Sequence, residues 1–156
     1  MENTRSRLVI LENQELLSDP KAHKKHYLAV ELHHGSREDL LKHLPPKEHG
    51  KVHASHITLN FSPSKEEFEH FVKNNHGKDT DVDVTHEAHD PQIGAHAARV
   101  TGSEVEKFSK PHKHVTISTR EGVGPKFSND VLSSQEGEAL KNPLKLKGTF
   151  RAIPKG

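Results

Sequence analysis

Along the chain, short apolar runs alternate with polar breaks, and their periodicity predicts both strands and helices. Leu8-Val9-Ile10-Leu11, continued by Leu16 and Leu17 to a break at Ser18-Asp19-Pro20, fits a strand with a turn or a weak helix, and the spacing does not choose between them. His26 to Leu32 reads as a strand that ends at Gly35. Ser36 with Asp39 has the form of a helix cap opening a segment with Leu40, Leu41 and Leu44, which Pro45-Pro46 stops. A polar loop from Lys47 to Val52 leads into a strand from about Ala54 to Phe61. Ser62-Pro63-Ser64 then starts a helix with Glu66 and Glu67 in its first turn and Phe68, Phe71 and Val72 on one face, ending at Asn75-His76-Gly77.

The second half repeats this rhythm. Val82 and Val84 alternate with charges as in an exposed strand up to Asp90-Pro91, and Ile93 to Val100 reads as its antiparallel partner. Thr101 to Pro111, with Val105 and Phe108, is a turn or a short helical piece before a strand from about His112 to Thr119. Gly122-Val123-Gly124-Pro125 is a loop, Ser128-Asn129 can cap a short turn with Val131 and Leu132, and alternation from Leu144 to Ile153 predicts a closing strand. No linker divides residues 1–156, so the expectation is one α+β domain of two related halves.

Two of these strands carry the same pattern. Ser55-His56-Ile57-Thr58-Leu59 reappears as Lys113-His114-Val115-Thr116-Ile117: histidine, apolar residue, threonine, apolar residue. Side chains two apart on a strand share a face, so His56 projects with Thr58 and His114 with Thr116. Two imidazoles and two hydroxyls brought together suit attack on a phosphodiester. One neutral histidine accepts a proton, one protonated histidine donates one, and the threonines hydrogen-bond the non-bridging oxygens.

Composition narrows the alternatives. Apolar residues make up 30% of the chain and aromatic residues 4%, which predicts an economical core. Lys+Arg 23 against Asp+Glu 22 argues against holding long nucleic acid by bulk charge, while leaving a small or terminal phosphate compatible. The absence of cysteine excludes disulfides, thiolate metal sites and a thiol nucleophile. Met1-Glu2-Asn3-Thr4-Arg5 opens no long apolar run, and no stretch reaches the length of a membrane span, so a cytoplasmic location is expected. Fifteen histidines are the one oddity, and the groups His49/His53/His56 and His86/His89 raise a metal-binding alternative without a supporting carboxylate pattern. No metal or other cofactor is expected.

His56-Ile57-Thr58-Leu59-Asn60-Phe61 and His114-Val115-Thr116-Ile117 resemble the paired motifs of the two-histidine (2H) phosphoesterase superfamily. The continuation Ser118-Thr119-Arg120-Glu121-Gly122-Val123 looks most like the cyclic phosphodiesterase domain of fungal and plant tRNA ligases and related RNA-repair proteins. The resemblance covers about 54–62 and 112–132. It implies two antiparallel sheets around a central cleft, with pseudo-twofold symmetry and outer helices. It also implies catalysis by His56 and His114, phosphate binding by Thr58 and Thr116, and an RNA 2′,3′-cyclic phosphate end or cyclic nucleotide as substrate. Arg120 and Lys126 are candidate phosphate or ribose contacts or simple loop charges; Tyr27 and Phe127 are candidates for base stacking or for the core. Cyclic oligonucleotide signals as substrate, or a non-catalytic RNA-end binding module, are the alternatives.

Overall fold

The structure, a computed structural model, describes residues 4–155. Helix α1 (Thr4–Ser18) and the single turn α2 (Ala22–Lys25) lead into β1 (His26–Leu32), followed by α3 (His34–His43), β2 (Lys51–Val52) and β3 (His56–Asn60). Then come α4 (Lys65–Asn74), β4 (Asp79–Asp90), β5 (Ala95–Thr101), a 3₁₀ turn at Val105–Lys107 and β6 (His114–Thr119). A second 3₁₀ turn, Pro125–Phe127, runs into α5 (Ser128–Ser134), and β7 (Glu138–Pro154) closes the chain.

All strand pairings are antiparallel, and they close on themselves. The order β2-β6-β3-β1-β7-β4-β5 is completed by a further pairing of β5 with β6, so the sheet is a strand barrel. Two antiparallel sheets around a central cleft were expected; here the strands are joined into one ring through β7, which pairs with both β1 and β4, and through β6. Strand β6 pairs with β5 on one edge, and with β2 and β3 in succession on the other. Exchanging β1 with β5, β3 with β6 and β4 with β7 leaves the ring order unchanged, so the strand order is symmetric between these pairs.

The main apolar cluster takes alternate residues from six strands, among them Leu28 and Val30, Ile57 and Leu59, Val82 and Val84, Val115 and Ile117, Leu146 and Phe150. Leu40 of α3 and Phe68, Phe71 and Val72 of α4 add to it. α4 starts as the sequence predicts: Ser64 Oγ accepts from Glu67 N and Glu67 Oε1 accepts from Ser64 N. Gly77 follows with φ +89, the left-handed conformation that suits glycine.

Of the two alternatives left open for Leu8 to Leu11, the structure takes the helix, since a closed ring leaves no long free edge for another strand; Leu8 and Leu11 stay exposed, and Leu16 packs against the core. Several other expectations are corrected. Ser36 does not cap α3, which begins two residues earlier; its hydroxyl accepts from Lys147 N of β7. β1 ends at Leu32, and Gly35 lies inside α3. β4 is not simply exposed, since Val82 and Val84 are fully buried while Asp81 points outward. β7 extends well before Leu144, with a register break opposite Val84 and His86 where Pro143 lacks the N–H a regular ladder needs. Among the described residues no helix is long and apolar enough to cross a membrane.

Gly148 lies where β7 crosses β1, and a Cβ there would sit 2.4 Å from Val30 Cγ1 and 2.8 Å from Glu31 O. Neither neighbour has room to move within the paired strands. Gly148→Ala is therefore expected to lower unfolding stability by ~1–3 kcal/mol in a urea titration, and an unchanged midpoint would contradict this packing.

Candidate active site

Ile57 pairs with Val115, the one position at which β3 and β6 are directly in register. Extending that antiparallel register by one residue each way sets His56 across from Thr116 and Thr58 across from His114. Ile57 and Val115 point into the core, so the two histidines and two threonines share the opposite face. They line one cavity of about 630 Å³, together with Tyr27 and Lys126 of the residues singled out from sequence.

The other two go elsewhere. The Arg120 guanidinium donates to the carbonyls of Pro91 (3.0 Å) and Gln92 (3.2 Å), tying the β4–β5 turn to the loop after β6, and it does not reach the cavity. Phe127 lies outside the lining, partly exposed, with Lys126 Nζ 5.5 Å from its ring centroid. Lys126 thus lines the cavity with its ammonium beside this ring. Seven residues that sequence reasoning did not assign to the site complete the wall: His53, Ser55, Phe61, Lys110, Gly124, Pro125 and Asn129. Ser55 and Phe61 flank the first motif and could have been read from it. Lys110 and Asn129 come from segments with no motif of their own, joined by a bond from Lys110 Nζ to Asn129 Oδ1 (3.1 Å).

His114 is only 7% exposed. Its Nδ1 lies 2.7 Å from the His112 carbonyl, which can only accept, so the ring proton is on Nδ1 and the neutral ring carries its lone pair on Nε2. Burial pushes this histidine down to about 4; the His112 carbonyl opposes the shift, and Lys110, His112 and Arg99 add to it. His56 is half-buried between hydroxyls, with Nδ1 3.1 Å from Ser55 Oγ and Nε2 3.2 Å from Tyr27 Oη. Burial lowers its pKa too, and Glu31 pulls in the opposite direction. Burial raises the Tyr27 phenol above its usual range, so it keeps its proton at neutral pH. Lys110 is lowered by burial and then by Lys113.

Thr116 Oγ1 is 2.9 Å from Ser128 Oγ and makes a longer contact, 3.4 Å, to the Pro125 carbonyl. Ser128 is fully buried inside α5, so its hydroxyl holds Thr116 instead of capping the helix. On the other wall, His56, Tyr27 and Phe61 form a row of rings with successive centroids 5.5 Å apart. Phe61 is 58% exposed, and Lys155 Nζ stands 4.8 Å over it.

Ala54 and His112 have φ +53, the only non-glycine residues with positive φ among those described. Each lies two residues before a motif histidine. Of the histidine groups considered for metal, His53 and His56 share the cleft wall, but neither group forms a ligand set. His53 Nε2 bonds Thr119 Oγ1, His89 bonds Glu48, and among the described residues no three His, Asp or Glu side chains could hold a metal ion. A larger cavity of about 690 Å³ beside α4 is rimmed by Glu66, Glu67 and Glu104, a charge pattern that disfavours phosphate.

The His114 shift has a consequence for stability. A group whose pKa is lower in the folded chain binds fewer protons there, so its contribution is complete above 6.5 and is lost as pH falls toward about 4. Within that window the slope approaches ~1.4 kcal/mol per pH unit for one such histidine. His76 and His96 shift in the same direction, so the test is a difference: between pH 7 and 4.5 the wild type should lose stability relative to His114→Asn. A gap independent of pH would show that burial does not hold His114 neutral. No protein-family model matches the chain and no curated protein sequence aligns with it significantly, so the functional reading is built from this cleft and from the two motifs that line it.

Proposed function

We propose that the protein is a phosphodiesterase that needs no metal and hydrolyses 2′,3′-cyclic phosphates at RNA ends or on nucleotides. The observation that carries this reading is the convergence of His56, Thr58, His114 and Thr116, from two neighbouring strands, on one cavity. The resemblance of both motifs to those of the two-histidine phosphoesterases agrees with it. On this reading the barrel divides into two related antiparallel halves that meet at the short β3–β6 seam, with the cleft across it.

The environments of the two histidines support different roles. With its proton held on Nδ1, neutral His114 presents Nε2 as a base toward a water molecule. Water attacks phosphorus and gives its proton to that nitrogen. The bond from phosphorus to one ribose oxygen breaks, and protonated His56 gives that oxygen its proton. Glu31 favours the charged form of His56 before the reaction, and an arriving phosphate anion strengthens the preference. Thr58 and Thr116 donate to the non-bridging oxygens as their charge grows. Lys110 and Lys126 supply positive charge at the edge, and the Tyr27–Phe61 row offers a face for the base.

Hydrolysis of a 2′,3′-cyclic mononucleotide in chelator is the direct assay. His56→Ala and His114→Ala should each lower kcat by about 100- to 10,000-fold. Full activity in either variant sinks the mechanism, while stoichiometric binding of the ligand without product by the wild type would leave a binding module in its place.

The pH profile tests the assignment of roles. A base must be deprotonated, so kcat/KM should rise through about 4. An acid must be protonated, so kcat/KM should fall again below the ordinary histidine value of 6.5, because burial lowers His56. A maximum on the acidic side of neutrality is expected, with His114→Ala removing the rising limb. An optimum above pH 8 would contradict these roles.

A further inference from the structure

Arg99 on β5 is the ladder partner of His114 on β6. Its side chain, however, turns to three other places. Nε donates to the Glu136 carbonyl (2.8 Å), and one terminal nitrogen donates to the carbonyls of Leu132 (2.6 Å) and Gln135 (3.0 Å), closing the end of α5. The other terminal nitrogen lies 3.0 Å from His112 Nδ1. A guanidinium has no acceptor, so His112 Nδ1 must carry a lone pair and the ring proton must be on Nε2. Thus Arg99 fixes the tautomer of one histidine, and the carbonyl of that same residue fixes the tautomer of the next, His114.

The backbone explains why a side-chain pin is needed. His112 has φ +53, a conformation that a residue with a Cβ rarely adopts without support. There its carbonyl points at His114 Nδ1, 2.7 Å away. The chain beyond is anchored by Val100 N, which donates to the Lys113 carbonyl, so β5 holds both sides of the kink. Relaxation of His112 to an ordinary extended conformation would turn that carbonyl away.

We propose that Arg99 and His112 are positioning residues for His114: the guanidinium pins the His112 ring, the pinned residue keeps its left-handed backbone, and its carbonyl holds the His114 proton on Nδ1 so that Nε2 faces the cleft as an acceptor. This deepens the reading of His114 as the base and rests on it. Neither Arg99 nor the His112 side chain lines the cavity, so neither is assigned contact with substrate. A purely structural role for Arg99, as the cap of α5, would leave the His114 tautomer unchanged.

The test combines nitrogen NMR of histidine side chains with kinetics on a 2′,3′-cyclic mononucleotide, His114 being assigned by comparison with His114→Asn. The wild type should show His114 as the Nδ1–H tautomer. Arg99→Met and His112→Ala should each give a mixed tautomer and lower kcat about 10- to 100-fold, the range typical of outer partners of functional histidines, with KM changed less than about twofold. His112→Asn should stay within about threefold of wild type, since asparagine tolerates the left-handed conformation and offers a carbonyl to Arg99. The double variant Arg99→Met/His112→Ala should be no slower than the slower single variant. Folded Arg99→Met with an unchanged His114 spectrum, or losses that multiply in the double variant, would overturn the proposal. The tautomer is read without turnover, so it can fail while hydrolysis holds, or hold while hydrolysis fails.

Discussion

Strand β6 is buried along its whole length, yet four of its six side chains, His114, Thr116, Ser118 and Thr119, are polar. Buried polar groups without partners cost on the order of 1–3 kcal/mol each, so the surroundings of this strand must supply partners or the barrel would not close. Each one is met by a different segment. The His112 carbonyl takes His114, Ser128 of α5 takes Thr116, Glu48 N donates to Ser118, and His53 meets Thr119. The loop before β2, the residues leading to β3, the kink before β6 and the helix after it are thereby all referred to one strand. Since β6 also closes the ring between β3 and β5, the same contacts that satisfy its side chains set the geometry of the cleft.

The site takes its electrostatic character from this burial. An imidazole in water is charged or neutral with little preference near pH 6.5, but removal from water disfavours the charged form. His114 lies deeper than His56 and has no carboxylate beside it, whereas His56 lies between two hydroxyls with Glu31 acting on it. The two motifs are nearly identical in sequence, and their histidines differ through neighbours alone. Under the proposed reading that difference separates base from acid. Under the same reading, an arriving phosphate anion would add the counter-charge that favours the protonated form of His56.

The strands, the amphipathic α4 and the shared face of each His-x-Thr pair were legible because they depend on local period and spacing. Val82/Val84 and Phe68/Phe71/Val72 announce their faces, and Ser64 with Glu67 announces a cap. What remained hidden depends on distant partners. Ser36 and Ser128 have the composition of caps, but their hydroxyls serve Lys147 N and Thr116. Arg120 stands beside the second motif in sequence and turns to Pro91 and Gln92 in space. Arg99, buried among alanines in sequence, carries no motif at all. Its relation to His114 exists only through the β5–β6 register and the kink at His112.

The internal repeat is deeper in backbone than in sequence. Ala54-Ser55-His56 and His112-Lys113-His114 share only the histidine, but both first residues adopt φ +53. On the first side, residues 51–54 follow β6, with His53 N and Ala54 N donating to Ile117 O and Thr116 O, and β3 then pairs with β1. The left-handed turn at Ala54 lies where the chain passes from this run along β6 into β3. At His112 the same turn is supported from outside the strand, by Arg99. The helices that follow the two motifs diverge in the same sense. α4 is capped by its own residues and packs three large apolar side chains into the core, whereas α5 spends its first residue on Thr116 and has its end held by Arg99. Both helices pack apolar side chains on the barrel, Val131 and Leu132 of α5 among them, and α5 in addition holds Thr116 through Ser128.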